Sequence, residues 1–149
     1  MDVGEICTRE VVIATRNTTV VEAARLMREY HVGDLVVVDE SEGRRVPVGI
    51  VTDRDIVVGV LALGLDPAVL TVGDIMGSDL VTAAEDDDVY ETLQIMRTRG
   101  VRRVPVVNTA GALVGIVALD DILEIFAEEL DAAVKVVARE QANESQRRR

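Results

Sequence analysis

Short stretches of apolar, mostly β-branched residues alternate along this chain with stretches in which apolar positions recur every three or four residues. The first kind reads as strand and the second as one-sided helix. Residues 11–14, 34–39 and 48–52 are of the strand kind, and Val20, Ala23, Ala24 and Met27 mark a helix between the first two. Residues 80–83, 103–107 and 113–117 repeat the strand pattern around a helix carrying Val89, Leu93 and Met96. Thr19 with Glu22, and Asp88 with Glu91, put an oxygen at each helix start and a glutamate three residues on, the pattern of a capping box. His31 and Gly100 stand where a left-handed residue ends a helix. A second helix is predicted to begin near Asp53 and again near Leu119, and Asn108-Thr109-Ala110-Gly111 is a turn by composition.

The two sets of elements are copies. Val3-Gly4-Glu5-Ile6 sets onto Val72-Gly73-Asp74-Ile75, and at that offset Val12 meets Val81, Ala14 meets Ala83, and Glu22 meets Glu91. Met27-Arg28 falls on Met96-Arg97, and Val37-Val38 on Val106-Val107. Extra residues between positions 40 and 47, read as a loop, shift the register. Beyond them Gly49-Ile50-Val51 aligns with Gly115-Ile116-Val117, and Asp55-Ile56 with Asp121-Ile122. Such a run of ordered matches identifies an internal duplication of β-α-β-β-α units. One unit alone has too little surface for a stable core, and packing the two sheets face to face supplies it. We divide the chain into repeat 1 at 1–66, repeat 2 at 67–130 and a C-terminal extension at 131–149, with residues 64–70 as linker. The last helix carries Ile122, Ile125, Phe126, Leu130, Ala133, Val134 and Val137 along one stripe, which reads as a dimer or capping contact. From about Gln141 the chain is polar and is expected to fray.

Composition narrows the chemistry. Apolar residues make up 48% of the 149 and aromatics 2%, so the core is aliphatic. One cysteine, Cys7, excludes an internal disulfide, and a reducing cytoplasm fits. The longest uncharged apolar run, 56–65, is too short to span a bilayer, and Asp2, Glu5 and Arg9 stand where a signal peptide needs apolar residues. A net charge of −11 disfavours nucleic acid and anionic membranes as partners, the terminal Arg147-Arg148-Arg149 being read as a solvated tail. His31 is the only histidine, read as a helix end rather than a catalyst or metal ligand. Cys7 lies opposite Met76 in the repeat and reads as a small hydrophobe. Asp86-Asp87-Asp88 suits the positive end of a helix.

The segment that stands out is Gly49-Ile50-Val51-Thr52-Asp53-Arg54-Asp55-Ile56, a strand running straight into a helix start. Thr52 and Asp55 are a variant capping box on one reading. In the second copy Ala118 replaces the threonine while Asp121 remains, and a cap would need the threonine first, so a ligand role gains weight. Free backbone N–H groups and a threonine hydroxyl suit a phosphate, and an aspartate one turn on can accept from both hydroxyls of a ribose. That combination describes a nucleotide, with a base between apolar walls.

With the duplication, the Gly-Ile-Val-Thr-x-x-Asp segment and Val101-Arg102-Arg103-Val104-Pro105-Val106, the chain resembles the CBS domain family over residues 3–130, in its tandem form, the Bateman module. The resemblance implies a mixed α/β (α+β) fold of two pseudo-symmetric β-α-β-β-α units packed sheet to sheet, here with an extended C-terminal helix. It implies a non-catalytic regulatory role in the cytoplasm, with an adenosyl ligand such as AMP, ADP, ATP, NAD or S-adenosylmethionine. It further implies a homodimer, in which four units form a flat disc, and a downstream protein partner. Carried over residue by residue, Thr52 meets phosphate, Asp55 the ribose, and Ile50, Leu80 and Val81 the adenine. Arg102 balances phosphate charge, and Arg54 does so across a dimer interface. The pseudo-symmetric second site uses Asp121, Ile116 and Arg103 with Val11, Val12 and Gly33. It lacks the hydroxyl at Ala118, and Asp34 stands where the second half has Arg103, so this site is expected to be weaker, empty or suited to a ligand with less phosphate. Two other readings stay open: a ligand-free dimerisation module acting through the C-terminal stripe, and, more distantly, a nucleotide hydrolase.

Overall fold

The structure, a computed structural model, describes residues 1–148; Arg149, the last of the terminal arginines, lies outside them. Each half builds one three-stranded sheet. In the first, β1 (Ile13–Ala14) runs parallel to β2 (Asp34–Ser41), and β3 (Arg44–Thr52) pairs with β2 antiparallel. In the second, β4 (Ala83–Ala84), β5 (Arg103–Val107) and β6 (Leu113–Ala118) repeat that order. Helices α2 (Val20–Tyr30) and α5 (Val89–Arg99) make the two crossovers. A one-turn helix, α3 (Asp53–Ile56), leaves β3 and continues as a π-helical turn, Val57–Leu61. Two further one-turn helices, α1 (Val3–Ile6) and α4 (Val72–Ile75), precede the sheets, and α6 (Leu119–Arg147) follows β6.

The helix ends follow the local chemistry. Glu22 N–H donates to Thr19 Oγ1 at 3.2 Å and Thr19 N–H to Glu22 Oε2 at 3.3 Å, closing the box. Asp88 instead caps α5 alone, accepting from the backbone of Tyr90 and Glu91. His31 and Gly100 both take left-handed backbone, with φ of 55° and 67°. The first strand of each unit is shorter than its apolar run, because only two residues reach register with the neighbouring strand. The residues read as a loop between positions 40 and 47 are instead paired, Ser41 opposite Arg44, around a tight turn at Glu42 (φ 52°) and Gly43 (φ 76°). Two successive positive φ values make the hairpin turn whose twist matches the strands.

Each sheet has two covered faces. Leu35, Val37 and Val51 pack against Val20, Ala23 and Met27 of α2 in the first core. Val104, Val106 and Val117 pack with Val89, Met96 and Ile122 in the second. The alternate residues Val36 and Pro105 are buried too, on the faces turned toward the other half, which is why β2 and β5 read as unbroken apolar runs. The halves also exchange their short helices. Val3 of α1 is fully buried in the second core, and Val72 of α4 in the first. The glycines after them permit this: a Cβ on Gly4 would stand 2.9 Å from Glu85 O, and one on Gly73 2.9 Å from Arg16 O. Beyond Phe126, which stacks on Tyr90, α6 projects with Leu130, Val134 and Val137 more than half exposed. The expected fraying from Gln141 is not seen; residues 141–147 stay helical, and Glu144 pairs with Arg148 one turn on.

Candidate ligand-binding site

Two clefts open between the halves, related by the duplication. The larger, about 520 Å³, is lined by Ile50, Thr52, Arg54 and Asp55 from one half and by Leu80, Val81, Arg102 and Arg103 from the other. The smaller, about 300 Å³, is lined by Ile116, Ala118, Asp120 and Asp121 against Val11, Val12, Gly33 and Asp34, with Arg103 shared. Every sequence-predicted site residue therefore lies on one of the two. Among the lining residues that sequence reasoning did not assign to a site are Gly77 and Asp79 in the first and Thr8, Glu10, His31 and Asp120 in the second. The repeat offset sets Thr8 on Gly77 and Glu10 on Asp79, so extending the alignment across that gap would have brought these four forward. A hollow of about 560 Å³ over α5 is lined by Leu80, Val81, Gln94, Ile95, Thr98 and Arg99, all from the second half.

At the strand-to-helix junction Thr52 and Asp55 form the reciprocal box. Asp55 N–H donates to Thr52 Oγ1 at 3.1 Å, and Thr52 N–H to Asp55 Oδ2 at 2.9 Å. Ala118 N–H makes the same bond to Asp121 Oδ2 at 2.8 Å. This corrects the expectation that a cap needs the threonine first: the aspartate satisfies the junction N–H by itself, so its retention in both copies has a structural cause. The box leaves the Thr52 hydroxyl proton and Asp55 Oδ1 without a protein partner among the described residues, and both residues face the larger cleft.

The clefts differ at a backbone edge. Ile116 exchanges two hydrogen bonds with Thr8, N–H to O at 2.9 Å in each direction, which closes that side of the smaller cleft. Ile50 occupies the equivalent place on β3 opposite Gly77, and among the described residues no such exchange is made. In β2, Val36 N–H donates to Val12, away from β3, so the opposed Ile50 turns its N–H and C=O to the outer edge as Ile116 does. The larger cleft thus holds an adjacent, unpaired backbone donor and acceptor.

They also differ in charge. Arg54, Arg102 and Arg103 face Asp34, Asp55 and Asp79 around the larger one, whereas the smaller gathers Glu10, Asp34, Asp120 and Asp121 around Arg103 alone. Arg102 makes a loose, exposed ion pair with Asp120 at 3.4 Å. Asp34 and Arg103, equivalent positions in the two copies, meet across the pseudo-axis with Arg103 Nε 2.9 Å from Asp34 Oδ2. The approach is poorly aligned, since that buried oxygen makes no hydrogen bond. Burial raises the Asp34 carboxyl above its ordinary value; Arg103 opposes this and Asp53 adds to it. Burial likewise pushes the Cys7 thiol up, packed against Gly115, which makes it a poor nucleophile. No group of three His, Cys, Asp or Glu side chains suited to a metal ion occurs among the described residues, and no described helix is long and apolar enough to cross a membrane.

Comparison with known proteins fits this architecture. The CBS domain family model matches twice, over residues 3–61 and 72–128. An uncharacterized protein of Methanopyrus kandleri is 38% identical over 125 residues, which is 84% of this chain and 62% of that protein. The chain thus spans less than two thirds of that relative's length. Among solved structures, a CBS domain pair in complex with 5′-methylthioadenosine and S-adenosyl-L-methionine superposes with a TM-score of 0.75 at 30% identity, over 87% of this chain and 98% of that one. A CBS domain protein of Pyrobaculum aerophilum complexed with AMP gives 0.73 at 29%, over 81% and 89%. The chain belongs to the CBS domain family, as a tandem pair.

Proposed function

We propose that this module is a non-catalytic sensor that binds one adenosyl ligand, such as AMP, ATP or NAD, in the larger cleft and signals by a change of shape or assembly. The observation that carries this is the unpaired N–H and C=O of Ile50 between apolar walls. An adenine edge offers a matching acceptor and amino donor, and Leu80 and Val81 cover its faces. Asp55 Oδ1 is free to accept from ribose hydroxyls, and hydrogen bonds to a charged acceptor contribute about 1.5–3 kcal/mol each. The Thr52 hydroxyl with Arg54, Arg102 and Arg103 suits a phosphate. The AMP and S-adenosyl-L-methionine complexes of similar CBS pairs support the ligand class. The reading is of a regulatory module, in a cytoplasmic protein acting on a downstream partner.

Thermal melts with AMP, ADP, ATP, NAD and S-adenosylmethionine test it. A ligand at a hundred times its Kd adds about 2.7 kcal/mol of stability. Asp55→Ala lowers the melting temperature by itself because it removes the cap, so the decisive quantity is the ligand-induced increment. No increment with any compound, or one that survives Asp55→Ala, defeats the reading.

A second reading, a homodimerisation module that needs no ligand, is favoured by the projecting stripe Leu130, Val134 and Val137 on α6. Sedimentation of the chain truncated after Glu129 separates the two: a dimer that persists without the stripe speaks against it.

A further inference from the structure

We propose that the smaller cleft takes a small organic cation, of the alkylammonium class, rather than a second nucleotide, and that the shared Asp34–Arg103 pair couples the two clefts. The coupling rests on the nucleotide reading above; the cation site does not.

Several features that suit the larger cleft to a nucleotide are altered at the matching positions of the smaller one, although Asp121 stands where Asp55 does and Val11 and Val12 where Leu80 and Val81 do. Ile116 spends its outward N–H and C=O on Thr8, so an adenine edge finds no backbone partners there. Ala118 replaces the hydroxyl of Thr52, Gly33 the guanidinium of Arg102, and Asp120 that of Arg54, a full reversal of sign. A phosphate would meet four carboxylates with Arg103 the one arginine lining the cleft, already drawn to Asp34, while Arg102 reaches Asp120 only through a loose, exposed pair. The same set favours a cation. Asp34, which lines both clefts, adds a second observation: its side chain is 10% exposed, and although Arg103 Nε lies 2.9 Å from its Oδ2, that oxygen makes no hydrogen bond. A buried carboxylate oxygen in that state gains from any donor that reaches it. Val11, Val12, Val36 and Ile116 supply apolar wall for a methylene chain, and the volume is at the small end of ligand cavities.

Arg103 lines both clefts. A phosphate in the larger cleft draws its guanidinium away from Asp34, leaving the buried carboxylate uncompensated, and an ammonium group in the smaller cleft restores the balance. Occupancy of one cleft therefore raises affinity in the other, by the same factor in both directions.

Calorimetric titration of the chain, stripped of nucleotide, with putrescine, alone and with saturating AMP, tests this, with 1,4-butanediol and sodium chloride of equal ionic strength as controls. The expected result is one putrescine per chain, bound about tenfold more tightly with AMP present, within the usual range of coupling. Neither control should bind. Glu10→Gln with Asp120→Asn, both on the exposed rim, should weaken putrescine at least severalfold while AMP still binds once per chain. Two AMP per chain, putrescine heats reproduced by salt or diol, or insensitivity to the rim variants would each overturn the cation site. AMP binding without putrescine binding defeats this inference and spares the nucleotide reading. Putrescine binding without AMP binding defeats the nucleotide reading and with it the coupling, and sustains the cation site.

Discussion

At Ala118 the backbone stands at φ −108° and ψ 155°, close to the −113° and 162° of Thr52, and Asp121 already accepts from its N–H. A threonine there would find the cap geometry ready-made. Ala118→Thr is expected to stabilise the protein by about 1 kcal/mol, the worth of a cap side chain, measured as a higher denaturation midpoint at unchanged slope. A fall in midpoint would mean the smaller cleft cannot admit the hydroxyl. Asp34 makes a prediction of opposite character. Its carboxyl is raised mainly by burial, so the folded state holds its proton above the unfolded value near 3.8. Between those two values the native state binds more protons than the unfolded one, and stability falls as pH rises. The melting temperature of Asp34→Asn relative to the natural protein should therefore climb as pH rises from about 4 and level off once Asp34 is ionised in the folded state; a flat or falling difference would contradict the assignment. Asp55 and Asp121 were legible in the sequence because the repeat exhibits that aspartate twice in matching context, and Thr52 because its replacement by Ala118 breaks the match. The free edge of Ile50 was not, since it depends on where the backbone of residues 8 and 77 passes, and no residue type records that.

Among the elements, strands with two covered faces and capped helices announced themselves through apolar runs and cap residues. The β2–β3 hairpin beyond Asp39 did not: its extension carries Glu40 and Arg45 in solvent and a half-buried Arg44, with no apolar face to impose alternation. The far end of α6 escaped for a related reason, being held by good helix formers and local ion pairs rather than by a core. The paired glycines of β3 and β6 show where copies of one element come under unequal constraint. A Cβ on Gly49 would meet Met76 Sδ at 2.8 Å, the end of a flexible side chain. On Gly115 it would meet Cys7 Sγ at 2.7 Å and the Thr8 backbone oxygen at 2.9 Å, and Thr8 is tied to Ile116 by two hydrogen bonds. Methionine can swing aside; the Thr8 backbone cannot without breaking that exchange. Gly115→Ala should cost about 1–3 kcal/mol, as overpacking does, and Gly49→Ala clearly less. Denaturant titration of the two variants measures the difference, and equal costs would show that the Thr8 segment yields freely.

In the whole molecule the exchange of α1 and α4 decides how the two halves share stability. The duplication was plain from the Val-Gly motif and its echoes, but the destination of each valine was not, because either core would accept a valine. Val3, first in the chain, completes the core of the second half, while Val72 completes the first. Hydrogen bonds run the same way, from Val3 to Asp87 and Gly4 to Glu85, and from Val72 to Thr18 and Gly73 to Arg16. Neither core is closed by its own half, so unfolding one half releases the short helix that seals the other. The module should therefore unfold in a single transition despite containing two cores. Val3→Ala and Val72→Ala each remove buried methyl groups at full burial, at a cost of about 2 kcal/mol for lost transfer energy and residual cavity. Each should lower one shared midpoint, seen alike by calorimetry and by circular dichroism. If the halves were independent, two transitions would separate, Val3→Ala moving only one of them and Val72→Ala only the other. A single transition would also give the clefts a route to signal, since a ligand bridging both halves then bears on the stability of the entire module.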